Sequence, residues 1–172
     1  MPEHNFTLVI SGPVNGHLDE LFEAGCDDAL FGETDGVQYG EFDRDAPTLR
    51  EAIVSAMHQV EAVDGLRVVR VEPEDLVTAA EIAERLGRTR ESVRLLIAGR
   101  RGAGDFPPPI SHLRDRNRLW RWAEVAAWAG KLDDERYADA VFVAALNAAL
   151  EWRRSRGNLR ERERELVAEL VS

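Results

Sequence analysis

The chain has 172 residues, 44% of them apolar and 31% charged, enough for one large domain or two small ones and too apolar for a disordered segment. Its formal net charge is −10, so the molecule as a whole does not attract polyanions. No apolar run is long enough for a bilayer, the first residues lack the pattern of a secretory leader, and Cys26 has no cysteine to pair with; a cytoplasmic protein without membrane contact is expected.

FTLVISG (Phe6–Gly12) is apolar and β-branched, which predicts a buried strand. HLDELFEAG predicts a short helix with Leu18, Leu21 and Phe22 on one face and Gly25 as its stop. DALFGET and VQYGEFD flank Asp35-Gly36, a two-residue hairpin signal, with Val37 and Tyr39 on one strand face. Asp45 is the expected N-cap of a longer helix, with Pro47 in its first turn. Leu49, Ala52, Ile53, Ala56, Met57, Val60 and Val63 give that helix its apolar stripe, and LRVVRVE (Leu66–Glu72) predicts a further strand. The order β-α-β-β-α-β over residues 1–76 is that of a ferredoxin-like α+β domain.

Residues 77–132 read differently. Thr78 and Glu81 form a capping box, Ile82, Ala83 and Leu86 face inward, and Gly87 closes the helix. Thr89 caps a second helix whose buried face is Val93, Leu96 and Ile97. FPPPI (Phe106–Ile110) cannot be helical, because its prolines lack donors. Ile110, Leu113, Leu119 and Trp120 predict a small hairpin around Arg114–Asn117, and Trp122–Ala129 a third helix with Val125 and Trp128 inward. Residues 133–172 predict a helical hairpin: an apolar stripe of Tyr137, Ala138, Val141, Phe142, Ala145, Leu146, Ala149 and Leu150, a break at Gly157-Asn158, and a charge-rich last helix.

Divided along these boundaries, the charge is segregated. Residues 1–76 carry −13, residues 77–132 carry +5 and residues 133–172 carry −2. A local field decides whether a surface attracts phosphates, so the helix pair of the middle segment is the candidate site. On its second helix, Arg90, Glu91 and Arg94 lie away from the apolar face, with Ser92 near the edge. Arginine at such positions contacts guanine edges or phosphates, and a glutamate accepts from cytosine. The Thr89 hydroxyl and the amides beside it suit a phosphate. Arg100 and Arg101 are candidate phosphate contacts or a solvated helix end.

AAEIAERLGRTRESVRLL, then FPPPI, then RLWRWAEVAAW resembles the winged helix–turn–helix of the MerR and excisionase (AlpA-like) group of small bacterial DNA-binding proteins. The resemblance covers residues 77–130. It implies that Arg90, Glu91 and Arg94 face the major groove of double-stranded DNA. It also implies that a β-wing carrying Arg114, Arg116, Asn117 and Arg118 reaches the flanking backbone or minor groove. Arg88 departs from the pattern, which has a small apolar residue there.

Histidines 4, 17, 58 and 112 are scattered, no cofactor motif is present, and SGPVNG (Ser11–Gly16) lacks the ending of a phosphate loop, so an enzyme is not expected. Asp27-Asp28 and Asp43–Asp45 read as a solvated acidic face. The expected function is sequence-specific DNA binding, as in a transcriptional regulator, with a homodimer engaging two half-sites; residues 133–172 either dimerise through the 137–150 stripe or cap the winged domain by packing within the same chain. The alternative is a protein-interaction adaptor, antitoxin-like or phage-related, whose acidic N-terminal domain binds a protein partner or masks the DNA-binding surface.

Overall fold

The computed structural model describes residues 1–73, 75–111, 118–131 and 135–171, the last of them without its side chain. Over these residues the chain is mixed α+β, with seven α-helices and a four-stranded antiparallel sheet. It divides into two compact units: residues 1–73 with 145–172, and residues 74–144. The residues after 132 therefore belong to both units, where their sequence pattern suggested a segment of its own.

In the first unit β1 (Glu3–Ser11), α1 (Leu18–Glu23), β2 (Ala29–Thr34), β3 (Val37–Asp45), α2 (Leu49–Ala62) and β4 (Arg67–Glu72) follow in order. The sheet order is β2-β3-β1-β4, every neighbouring pair antiparallel. β1 is central, which is why Leu8, Val9 and Ile10 are all buried and the strand reads as an unbroken apolar run. The β2–β3 hairpin turns at Asp35 and Gly36, both with positive φ, as an Asp-Gly turn requires.

Two local expectations change, at the start of α2 and on α1, and the β3 face of Val37 and Tyr39 proves to be the outer one. The N-cap of α2 is Thr48, whose hydroxyl accepts from the Glu51 amide, and not Asp45. Asp45 is still paired with Glu3 in the sheet, and Pro47 keeps Ala46 extended, so the helix cannot begin earlier. The inward face of β3 is Gly40, Phe42 and Arg44, with Val37 exposed and Tyr39 half-buried on the opposite parity. In α1 only Leu21 is buried; Leu18 and Phe22 are exposed, because two turns present a single position to the sheet.

β4 shows how tertiary contacts finish a strand. A bulge opposite Val9 and Ile10 shifts the register, so Val68 and Val71 both face the core although three residues apart. β4 is an edge strand, and its outer polar groups are taken by side chains. Asn147, on α6 (Glu135–Ser155), accepts from the Val71 amide at 2.8 Å and donates to the Val71 carbonyl at 2.9 Å. The Val68 amide donates to Glu61 at 2.9 Å, and Arg153 donates to the Val68 carbonyl at 2.5 Å and to Glu61 at 2.6 Å. These bonds block pairing with another chain at this edge. They also select the inner face of α6, where Val143 and Leu150 are buried, whereas Val141 of the expected stripe is 42% exposed.

The second unit holds β5 (Leu76–Val77), α3 (Ala79–Arg85), α4 (Arg90–Ile97), β6 (Trp120–Arg121) and α5 (Trp122–Trp128), followed by the start of α6. The last helix, α7 (Glu161–Val171), belongs to the first unit. The core of the second unit is Val77, Ile82, Ala83, Val93, Trp120, Trp122, Val125 and Ala126. β5 pairs antiparallel with β6, Leu76 opposite Arg121 and Val77 opposite Trp120. The amide of Ile110 donates to the Leu119 carbonyl at 2.8 Å, and Ser111 bridges Leu119 antiparallel; residues 112–117, the rest of the expected hairpin, lie outside the described residues.

Candidate nucleic-acid interface

The helix pair is set by local hydrogen bonds. At the start of α3, Thr78 and Glu81 satisfy each other's backbone amides in a capping box. At its end Gly87 takes φ +62°, the Gly87 amide donates to Glu84 and the Arg88 amide to Ala83. This doubly bonded reversal, with glycine in the left-handed region, stops the helix and turns the chain. Thr89 then caps α4 by accepting from the Ser92 amide at 3.1 Å. The same reversal ends α4 at Gly99 and Arg100, and α5 at Gly130 and Lys131.

α4 has two unlike faces. Val93 and Leu96 are buried against the core, while Arg90, Glu91 and Arg94 are exposed. Arg94 donates to both oxygens of Glu91, at 2.8 and 2.6 Å, along the solvent side of the helix. The hydrogen bond from Arg94 holds the Glu91 carboxyl below its ordinary range, so the pair stays charged. Thr89, Arg100 and Arg101 are also exposed. Ser92, a candidate contact from its sequence position, is buried, and its hydroxyl meets Arg101 at 3.5 Å. Arg118 is half-buried, its guanidinium 5.4 Å from the centre of the Trp120 ring. Arg114, Arg116 and Asn117 lie outside the described residues.

The indoles belong to the packing of this unit. Trp120 and Trp122 are buried; Trp120 donates to the Pro107 carbonyl at 3.1 Å and Trp128 to Gly104 at 3.0 Å. Phe106 lies edge-on to both rings, 6.5 Å from Trp120 and 4.9 Å from Trp128. The proline-rich connector is thus tied down by two indole N–H groups.

Two features of this unit are not legible from motif or periodicity. The carboxylate of Asp75, 5% exposed, accepts from the Ala123 amide at 3.1 Å, and the Asp75 carbonyl accepts from Trp122 at 2.8 Å. It caps α5 from 48 positions away, since Arg121 at the N-cap has no side-chain bond to offer. Burial pushes the Asp75 carboxyl up to about 6. The second feature is a cavity of about 380 Å³ walled by Arg88, Arg101 and Lys131 over Leu86, Leu96 and Trp128. Its only advance signal is that Leu86-Gly87-Arg88 and Ala129-Gly130-Lys131 share a pattern.

The first unit offers an opposite surface. A groove of about 800 Å³ is lined by Asp27, Asp28, Glu41, Asp43 and Glu72 with Phe6 and Phe42. Asp28 of this groove is already paired with the buried Arg44, which donates to it at 2.6 and 2.7 Å, to Ser55 at 3.0 Å and to the Gly25 carbonyl at 3.2 Å. Burial pushes the neighbouring Cys26 thiol up to about 11, which makes it a poor nucleophile. Among the described residues no group of three or more His, Cys, Asp or Glu side chains is arranged to hold a metal, and no helix is long and apolar enough to cross a membrane. Comparison with protein-family models, with curated proteins and with solved structures finds no match for this chain.

Proposed function

We propose that the chain is a sequence-specific binder of double-stranded DNA, a transcriptional regulator of the winged helix–turn–helix kind, with α4 entering the major groove. The observation that carries the reading is the division of α4. One face is locked into the core by Val93 and Leu96, and the other presents Arg90, Glu91 and Arg94 to solvent. A short helix held from behind and cationic in front is what groove insertion requires. In this reading Arg94 exchanges Glu91 for a guanine edge, and Arg90 meets a base or the backbone. The antiparallel stem at Ile110–Leu119 supports a wing beside it, and the order of elements supports a likeness to the MerR and excisionase group. The strand order β2-β3-β1-β4 supports a ferredoxin-like sandwich in the first unit, whose acidic groove keeps polyanions away.

A mobility-shift titration of the full chain on duplex DNA over a salt series tests this. A log–log slope of several, as phosphate neutralisation produces, supports it. Arg94→Ala should cost about 1–3 kcal/mol of affinity and relax the sequence preference. Binding that is absent at low salt, or indifferent to Arg94→Ala and to DNA sequence, defeats the reading in favour of a protein-interaction module.

A further inference from the structure

Three helices of the second unit end in the same way, with a left-handed glycine followed by a cation: Arg88 after α3, Arg100 after α4 and Lys131 after α5. Two of these, Arg88 and Lys131, reach the rim of one cavity, where Arg101 joins them. Arg101 is steadied by Ser92 at 3.5 Å and Lys131 by the Arg85 carbonyl at 3.5 Å. Leu86, Leu96 and Trp128 supply the cavity's apolar lining, and among the described residues no carboxylate lines it. Several arginines elsewhere in this acidic chain are paired with acids: Arg44 with Asp28, Arg94 with Glu91, Arg153 with Glu61 and Arg154 with Glu151. Among the described residues Arg88, Arg101 and Lys131 have no such partner. Gly102 completes the wall; its φ of +82° favours glycine, and a Cβ there would lie 3.0 Å from a Leu96 methyl.

We infer that this cavity is a phosphate site, occupied by one backbone phosphate of the duplex beside the α4 contact. Three cations that line one cavity repel one another, and an anion with several acceptor oxygens offsets that repulsion. Two guanidinium forks and an ammonium match a phosphodiester, and the apolar lining takes the edge of its sugar. The site adds Arg88 and Lys131 to the contact surface and gives Arg101 a defined role. It rests on the DNA-binding reading, and the two fail separately.

The test compares the full chain with Arg88→Gln and Lys131→Gln, each checked for an unchanged thermal transition. The salt series uses one preferred and one random duplex. Each variant should lower the log–log slope by about 0.9, so that its deficit shrinks about 3-fold between 50 and 200 mM salt. The preference between duplexes should not change, in contrast to Arg94→Ala. If wild type binds DNA and both variants keep its affinity and slope, the phosphate site is overturned and the α4 reading survives. If wild type binds no DNA, inorganic phosphate decides by NMR. Saturable shifts of the Gly102 and Ala103 amides that Lys131→Gln abolishes uphold the site with free phosphate as its source, and no shifts overturn it.

Discussion

The two units use arginine in opposite ways. The first unit carries 20 Asp/Glu against 10 Arg, and its Arg44 and Arg153 are spent on the internal acids Asp28 and Glu61. The second has 12 acids against 12 bases, but six of those acids lie at its ends, before residue 77 and after residue 132. The stretch between is left at +5, with Arg88, Arg90, Arg100 and Arg101 lacking carboxylate partners among the described residues. A paired arginine stabilises a fold, whereas an unpaired exposed one contributes little to stability and remains available to a ligand.

Substitutions can break this contrast, the most damaging first. Val93→Asp buries an unpaired charge between the helices and should cost more than about 4 kcal/mol, abolishing the near-ultraviolet signal of the packed indoles. Arg44→Ala leaves Asp28 without its bidentate partner and should cost about 2–4 kcal/mol in urea denaturation, below the top of the range for a buried pair because Asp28 is partly exposed. An unchanged midpoint would mean that this arginine is no more structural than the exposed ones. Asn147→Ala uncovers both polar groups of Val71 and should cost about 1–3 kcal/mol, with self-association rising as the β4 edge becomes available.

Asp75 gives a pH test of the second unit. Its folded value, about 6, lies above its ordinary 3.8, so folding favours the protonated form. That contribution is complete below 3.8 and is lost as pH rises through 6. Asp75→Asn has no proton to lose. Its stability relative to wild type should therefore rise between pH 4 and 7, by about 1–3 kcal/mol. A constant difference across that range would sink the assignment. At the small end, Arg90→Ala should change stability by less than about 0.5 kcal/mol while weakening DNA binding, which separates availability from structure.

Much of the frame was readable because its causes are local. The capping box at Thr78 and Glu81, the left-handed glycine at Gly87 and the Thr89 cap each close within five residues. Alternation and β-branching marked the strands of the sheet, except where the bulge in β4 reset the parity. The outward face of α4 followed from the spacing of Val93 and Leu96, but the burial of Ser92 did not, because its hydroxyl meets Arg101 from the segment after the helix. The inner face of α6 was misjudged for a similar reason: a strand edge rewards Asn147 with two hydrogen bonds, and no hydropathy pattern records that.

The sequence by itself determined the order of helices and strands, the caps and stops of the α3–α4 pair, and which third of the chain is cationic, since these depend on neighbours a few residues apart and on simple charge counting. Only the tertiary structure decided that Asp75 caps α5, that Arg44 is buried against Asp28, and that Arg88, Arg101 and Lys131 converge on one cavity. Each of these joins groups from separate segments of chain. Their energies arise from desolvation and charge proximity in space, which no pattern within a single segment contains.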